Sequence, residues 1–225
     1  MINRVLAFLR LLDNRRFWNR YYRVHPDPGP PSPFALYCAE HCLRPGLEVL
    51  ELGCGNGRDA VYLSSRGMHV TALDLCRPEI RHLRRTRARP EPAGQEGRLV
   101  FLHRDFSRFT APGAYDCVYS RFTLHSISAQ QERQVIACTC ANLRPGGLFL
   151  IEARSRRDQM LERSYQLSDC EGVTDHYRRF LDLESLQASL VQAGLIIEHA
   201  VEDTGLAVHG DEDPVVIRII ARRPR

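Results

Sequence analysis

The sequence predicts an α/β fold with a central, mostly parallel sheet, helices on both of its faces and an antiparallel strand pair near the C-terminus. Three observations predict it. An apolar strand, a glycine-rich turn and a helical pattern follow one another within residues 47–62. Strand and helix patterns then alternate as far as residue 153, which is typical of right-handed βαβ units. Two strand patterns at 195–202 and 214–222, joined only by a loop, close the chain.

Length and composition favour one globular domain with a terminal extension. The chain has 225 residues, of which 44% are hydrophobic and 26% charged, values that are ordinary for a globular protein. We divide it into an N-terminal helical extension or lid at 1–44 and a domain at 45–225. No apolar run reaches the length of a membrane span, and Arg4 and Arg10 interrupt the first segment, which is not a secretion signal. We therefore expect a cytoplasmic protein, either a monomer or a homodimer.

The eight cysteines do not have the spacing of a metal site or a disulfide framework. Cys38 and Cys42 are one helical turn apart, and no second pair at zinc-finger spacing follows them. Cys138 and Cys140 are too close together to form a CxxC pair. We therefore expect mostly small, buried thiols in a reducing compartment, and no metal.

The pattern of the first 46 residues predicts helices separated by a loop. Leu6, Leu9 and Leu12 lie on one helical face, and an aromatic segment at Phe17–Tyr22 follows. The proline-rich stretch at 25–33 forms no regular element. A short helix at Phe34–Cys42 leads into the first strand.

Hydrophobic periodicity divides the rest of the chain into predicted strands and helices. Glycines or prolines end several of the segments, and the turn Pro145–Gly147 precedes the fifth strand. Residues 89–97 form a polar loop. The predicted strands are 49–52, 69–74, 98–103, 115–120, 148–153, 195–202 and 214–222, and the predicted helices are 59–66, 78–87, 130–143 and 183–193.

The glycine turn Gly53–Gly57 presents backbone N–H groups at the N-terminus of the following helix, where a ligand can approach closely. Its spacing excludes two common nucleotide sites. A dinucleotide fingerprint needs a third glycine at position 58, which is Arg58. A phosphate-binding P-loop needs a lysine, and the chain contains none.

The string Glu51–Gly57, with an acidic residue two before the first glycine, resembles the first motif of class I S-adenosylmethionine (SAM) methyltransferases. The resemblance implies a Rossmann-like class I methyltransferase fold, SAM as the cofactor and S-adenosylhomocysteine as its product. It also implies that Asp74 binds the ribose hydroxyls and that Asp105 accepts from the adenine amine, with Phe106 against the ring. The expected cofactor residues are Glu51, Gly53, Cys54, Gly55, Asn56, Gly57, Arg58, Asp74, Leu75, Asp105, Phe106 and Ser120.

Two further stretches are similar to known methyltransferase motifs. Tyr115–Ser120 resembles the fourth motif, which passes beside the methyl group, and Leu143–Gly147 resembles the turn before the fifth strand. Within the superfamily the chain looks most like small bacterial methyltransferases of the tellurite-resistance and thiopurine type. The aromatic segment Phe17–Tyr22 resembles the part that closes over SAM in that subgroup.

Polar clusters follow the fourth and fifth strands, where ligands bind in open α/β sheets. Because arginine binds planar anions with two parallel bonds, we expect a small, anionic acceptor held by Arg121 and Arg154. The alternative is that these arginines form structural ion pairs with Glu152 or Asp116. Arg121 and His125 are the candidate catalytic residues, with His125 as a base if the acceptor must lose a proton. The expected acceptor residues are Trp18, Tyr21, Tyr22, Arg121, Arg154, His176, Tyr177 and Arg178.

Two other functions remain open. The arginine-rich segment Arg77–Arg89 would serve an RNA or protein methyltransferase, although the pattern favours a solvated helix face, and the net charge of +4 does not require nucleic acid. Ser120–Thr123 lacks the Asn/Asp-Pro-Pro-Tyr/Phe motif, which disfavours methylation of base amines. A non-catalytic SAM-binding module is the third reading.

Overall fold

A computed structural model describes residues 14–25, 27–87 and 97–225. The predicted helical face at Leu6, Leu9 and Leu12 and most of the predicted polar loop lie outside the described residues, as does Arg89.

A seven-stranded sheet forms the centre of the molecule, in the order β3-β2-β1-β4-β5-β10-β9. The first five strands in space run parallel, whereas β10 is antiparallel to both β5 and β9. The strands are β1 (Glu48–Leu52), β2 (His69–Asp74), β3 (Leu99–His103), β4 (Tyr115–Arg121), β5 (Leu143–Arg154), β6 (Tyr165–Ser168), β7 (Glu171–Val173), β8 (Tyr177–Arg179), β9 (Ile196–Asp203) and β10 (Val216–Arg222). The predicted fold class, including the antiparallel pair at one edge, is confirmed.

The helices follow signals that are local in the sequence. Gly57, with a φ of 75°, precedes α3, and Ser128 with Gln131 forms a capping box at the start of α5, which satisfies N–H groups that the helix leaves unpaired. The described part of α1 covers residues 14–24. The other helices are α2 (Pro33–His41), α3 (Arg58–Ser65), α4 (Arg77–Thr86), α5 (Ala129–Asn142), α6 (Gln159–Arg163) and α7 (Leu183–Gln192).

Alternate residues of β5 point to opposite faces of the sheet, so the chain builds two cores. Phe149 and Ile151 belong to the core beneath α5 and α7. Leu150 belongs to the core beneath α2, α3 and α4, together with Phe34 and Tyr119. The direction of strand progression reverses between β1 and β4, and a ligand site is expected where this happens, at the carboxyl ends of the strands.

The structure differs from the sequence prediction in two places. β5 begins at Leu143, so it includes the predicted turn Pro145–Gly147, because Tyr115 of β4 already pairs with Leu143 across an irregular register. A small antiparallel sheet, β6-β7-β8, and α6 lie between β5 and α7. None of these short elements was predicted, since three to five residues carry no usable periodicity.

Helix α2 contributes Phe34, Ala35 and Cys38, all fully buried, to the core of the sheet. The division of the chain at residue 44 stays a prediction. All eight cysteines are free thiols. Within the described ranges, no helix combines the length and the apolar character needed to cross a membrane.

Candidate functional site

A cavity of about 380 Å³ opens at the carboxyl ends of β1, β2 and β4. One end, the glycine-loop end, is lined by Gly53–Asn56, Asp74 and Asp105. The other, the arginine end, is lined by Arg121, Phe122, Arg154 and Glu212. The aromatic side of α1 forms part of the wall through Trp18, Tyr21 and Tyr22.

The backbone of the glycine loop is left-handed at two positions that face the cavity, Gly53 with a φ of 66° and Gly55 with a φ of 53°. Larger residues are strained in this conformation. A Cβ on Gly53 would collide with the methyl group of Thr123, and a Cβ on Gly55 would lie 2.5 Å from the hydroxyl of Tyr22. The loop therefore approaches its neighbours closely enough for its backbone to contact a ligand.

Three carboxylates surround the glycine-loop end. Glu51 is buried, and among the described residues its Oε2 has no hydrogen-bond partner. Burial, followed by the nearby Asp59 and Asp74, raises its pKa well above the usual value. Asp74 accepts from the N–H of Gly55 at 2.9 Å and from that of Cys76 at 2.6 Å, and burial raises its pKa. These acidic groups provide acceptors for the hydroxyl and amino groups of a polar ligand.

Asp105 contributes the third of these carboxylates. Its Oδ1 accepts from both the N–H and the hydroxyl of Ser107, at 2.9 and 2.7 Å. The bonds fix the carboxylate beside Phe106, which also lines the cavity. This placement agrees with the expected adenine site, and the role itself stays a prediction.

Hydrogen bonds of Asn14 hold helix α1 against the cavity. The side-chain oxygen of Asn14 accepts from the N–H of Tyr177 at 3.1 Å, and its amide nitrogen donates to the carbonyl of Ser126 at 3.2 Å. Further along, the thiol of Cys76 donates to Asn19 at 2.8 Å. These bonds place the aromatic residues of α1 against the glycine loop.

Arg121 and Arg218 share one buried carboxylate at the arginine end. The Nε of Arg121 donates to Oε1 of Glu152 at 2.9 Å, and the Nε of Arg218 donates to Oε2 at 2.7 Å. Glu152 is fully buried. Within the part of the chain that the structure describes, Nη1 and Nη2 of Arg121 donate to no acceptor. Arg121 thus forms the structural pair with Glu152 anticipated as the alternative, and still has donors on the cavity wall.

Arg154 is held by two carboxylates of different character. Its Nη1 donates to Asp158 at 2.8 Å, and its Nη2 donates to Glu212 at 3.0 Å. The side chain of Asp158 is 5% exposed, whereas that of Glu212 is 64% exposed. The expected alternative partners were Glu152 and Asp116, and Arg154 pairs with neither of them.

Phe122 has a φ of 56° and is the one non-glycine residue with a positive φ in the described ranges. A left-handed phenylalanine is strained, and the bond from its N–H to the carbonyl of Glu152 at 2.8 Å helps to hold it there. Its ring lies 4.3 Å from Cζ of Arg121 and 5.7 Å from Cζ of Arg154. The strained backbone thereby places an aromatic ring close to both guanidinium groups on the cavity wall.

Six of the predicted site residues do not line the cavity. A Cβ on Gly57 would meet Phe101 at 3.0 Å and Leu83 at 3.1 Å, so this glycine faces the core. His125 is buried in a 3₁₀ turn, where its Nδ1 accepts from the N–H of Arg154 at 3.3 Å. Burial, then Arg154, lowers its pKa well below the usual value, and a neutral ring follows. The six are Gly57, Ser120, His125, His176, Tyr177 and Arg178.

Of these six, His176 and Ser120 contact residues that line the cavity, whereas Arg178 binds residues that do not. His176 stacks on Phe17 at 4.2 Å between ring centroids and meets Trp18 edge-on at 4.8 Å. Arg178 donates to Thr174 and, at 2.7 Å, to Asp175. Ser120 is fully buried and hydrogen-bonded to Thr123. Direct ligand contact stays a prediction for each residue outside the wall.

The cavity wall also contains residues that sequence reasoning missed. The loop between β9 and β10 supplies several of them, although the only sequence signals there are glycines and a proline. The missed residues include Asn14, Arg15, Thr123, Ser126, Ile127, Gln131, Ala207, His209, Glu212 and Pro214.

Known methyltransferases are similar to this chain in sequence and in fold. Residues 49–147 match the family model of the methyltransferase domain. The chain is 25% identical over 189 residues to the ubiquinone biosynthesis O-methyltransferase of Methylobacterium sp. (strain 4-46), a match that spans 81% of this chain and 68% of that protein. A solved Burkholderia thailandensis structure, 1,6-didemethyltoxoflavin-N1-methyltransferase, superposes with a TM-score of 0.70 at 21% identity, covering 99% of this chain and 90% of that one.

Other relatives match over shorter stretches. The S-adenosyl-L-methionine-dependent Diels-Alderase iccD of Talaromyces variabilis is 34% identical over 119 residues, which span 51% of this chain and 39% of that protein. The chain spans less than half of iccD and 48% of a Streptomyces cypemycin N-terminal methyltransferase. None of these comparisons assigns the tellurite-resistance or thiopurine subgroup, which stays a prediction. Residues 49–147 match a methyltransferase domain, and the chain shares the fold of the solved Burkholderia methyltransferase.

Proposed function

We propose that this chain transfers the methyl group of SAM to a small-molecule acceptor. The observation that carries the proposal is the continuity of the cavity, which joins Glu51, Asp74 and Asp105 at one end to Arg121 and Arg154 at the other. A cofactor and an acceptor would therefore meet within one continuous cavity. The solved Burkholderia structure contains both S-adenosylhomocysteine and 1,6-didemethyltoxoflavin, which supports two ligands in a fold of this type.

The residues at the glycine-loop end fit the polar groups of SAM. Asp74 would bind the ribose hydroxyls, and Asp105 the adenine amine beside Phe106. No residue that the structure describes donates a hydrogen bond to the buried Oε2 of Glu51, and a buried acceptor of this kind is costly unless a donor reaches it. SAM supplies an electrophilic methyl group on a sulfonium, so the protein needs mainly to orient the reactants and to exclude water.

The acceptor we propose is small and anionic. The Nη donors of Arg121 stand on the cavity wall beside the ring of Phe122, and guanidinium groups of this kind bind carboxylates and phosphates. Arg121 and Arg154 are partly neutralised by Glu152, Asp158 and Glu212, so the charge available for binding is smaller than the number of arginines implies. An ionised acceptor needs no general base, and none is assigned.

A second candidate function is binding of SAM without methyl transfer. The names of iccD and of a solved [4+2]-cyclase, SpnF, which superposes with a TM-score of 0.65 at 19% identity, show that cyclisation chemistry occurs on related chains. The RNA or protein alternative depends on α4, where Arg77, Arg81 and Arg85 are exposed but Arg84 donates to the carbonyl of Phe101 at 2.7 Å. This arrangement is also that of an ordinary solvated helix face.

Calorimetry with SAM and S-adenosylhomocysteine tests the cofactor, and labelled SAM with size-fractionated host extract tests the reaction. Label in a small-molecule fraction supports the proposal. Label in RNA or protein supports the macromolecular alternative, and binding without any label transfer supports the second candidate. If neither SAM nor its product binds, the proposed function is wrong.

A further inference from the structure

Glu212 reaches the cavity from a tight turn in the β9–β10 loop. The N–H of His209 donates to the carbonyl of Glu212 at 2.9 Å, and the N–H of Glu212 donates back to the carbonyl of His209 at 3.0 Å. Gly210, with a φ of 57°, permits this turn. The carboxylate of Glu212 is therefore placed at the arginine end by backbone geometry, with Nη2 of Arg154 as its hydrogen-bond partner.

The two carboxylates on Arg154 hold it with very different strength. Asp158 is buried and also accepts from the N–H of Met160 at 2.8 Å, where it caps α6, so removing it would leave Nη1 of the buried Arg154 without its partner. Glu212 is mostly exposed, and an exposed carboxylate gains little from its ion pair, because water solvates it almost as well. Nη1 is thus held by the buried Asp158, whereas Nη2 is held by the exposed Glu212, which another anion can displace more easily.

The position occupied by the carboxylate of Glu212 is one that an oxyanion of the acceptor could take. Arg154 and Glu212 both line the cavity, and the ring of Phe122 restrains the guanidinium from one side. The guanidinium group of Arg121 lies near the same ring, and Arg121 also lines the cavity. An anion that replaced Glu212 would keep the charge balance of Arg154 while Glu212 returned to solvent.

We propose that Glu212 is a built-in occupant of an oxyanion subsite on Arg154, and that a carboxylate or phosphate of the acceptor displaces it. This inference rests on the proposed function, since it names the group by which the acceptor binds. It also makes the β9–β10 loop the element that opens when the acceptor enters.

The test compares two variants that remove one negative charge from the same turn. Glu212→Gln weakens the internal competitor, whereas Asp211→Asn makes the same change of charge at an exposed residue that does not line the cavity. Calorimetric titrations with inorganic phosphate and with acetate, carried out on the full chain, serve as the two arms. Trp18 is the only tryptophan and lines the same cavity, so its fluorescence reports whether binding occurs there.

Glu212→Gln should bind one of the two anions about two- to fivefold more tightly than the parent chain, a factor that corresponds to an exposed ion pair, with a change in Trp18 fluorescence. Asp211→Asn should match the parent chain. The preferred anion then distinguishes a phosphate from a carboxylate acceptor. Equal affinities for all three proteins, or weaker binding by Glu212→Gln, would overturn the inference. SAM calorimetry on the same samples separates this failure from that of the proposed function, because SAM binding does not depend on the anion result.

Discussion

The hydroxyl oxygen of Tyr22 lies 2.5 Å from the position that a Cβ on Gly55 would occupy. Two separate costs therefore oppose any side chain at Gly55, namely its left-handed backbone and its contact with α1. For Gly46, with a φ of 85°, the described part of the chain places no atom within 4 Å of the corresponding Cβ position. Gly46 provides a matched control, because substitution there is strained in the backbone alone.

Gly55→Ala should lower the free energy of unfolding by more than Gly46→Ala, which we expect to cost about 1 kcal/mol. It should also weaken SAM binding in calorimetry, whereas Gly46→Ala should not. Adding Tyr22→Ala to Gly55→Ala should recover part of the additional loss of stability, as a double-mutant cycle can measure. Equal losses for the two single alanine variants would show that the contact with Tyr22 has no energetic effect.

Glu152 pairs with two arginines, the buried Arg218 and the partly buried Arg121, and its removal should be among the most destabilising single changes in the chain. Glu152→Gln leaves Arg121 and Arg218 without a counter-ion, and losing one partner of a buried pair costs about 3–5 kcal/mol. Denaturant unfolding measures this loss. Glu198→Gln is the control, since Glu198 pairs with Arg222 near the surface and should cost about 1 kcal/mol or less. Similar midpoints for the two variants would contradict the structural role of Glu152.

Arg121 and Arg218 bind the same carboxylate, but only Arg121 lines the cavity. Lysine at either position keeps the charge and loses the planar guanidinium, so both variants should lose stability. Arg121→Lys alone should raise the KM for the acceptor in the active extract fraction, with little change in SAM affinity. If both lysine variants shift the KM equally, or neither does, Arg121 has no specific contact with the acceptor.

Most of the sheet could be predicted because its signals are local. The glycine loop, Asp74 and Asp105 each follow an apolar strand within a few residues, and the carboxyl ends of parallel strands necessarily meet at one edge. Most of the glycine-loop end of the cavity followed from this rule. Gly57 did not, because the same left-handed conformation serves packing against Phe101, and sequence spacing cannot separate the two uses.

The arginine end depends on contacts between distant parts of the chain, which no local pattern contains. Arg154 and Glu212 are 58 residues apart, and Glu212 lies in a loop with no periodicity. His125 was predicted as a site residue because it follows β4, but it belongs to a 3₁₀ turn that buries its side chain. The choice between a structural and a binding arginine likewise depends on partners that only the fold brings together.

His176 makes the stability of the α1 contact dependent on pH. Its ring is buried between Phe17 and Trp18, and burial, followed by the nearby Arg178, lowers its pKa to about 4 from an ordinary 6.5. Between these two values the unfolded chain binds a proton that the folded chain does not. The contribution of His176 to stability is therefore complete above pH 6.5 and is lost as the pH falls towards 4. Its ceiling is about 3 kcal/mol, since one pKa unit corresponds to about 1.4 kcal/mol.

His176→Phe should keep the aromatic contact and remove this dependence, so its unfolding free energy should fall less than that of the parent chain between pH 6.5 and 4.5. Trp18 fluorescence should show the same difference, because it is the only tryptophan and its ring lies 4.8 Å from that of His176. His25→Phe is the control: His25 also stacks on α1, 4.4 Å from Tyr21, but it is exposed. That variant should keep the full pH dependence of the parent. A His176→Phe variant with an unchanged pH profile would mean that another buried group, of which His125 is the first to examine, causes the loss of stability in acid.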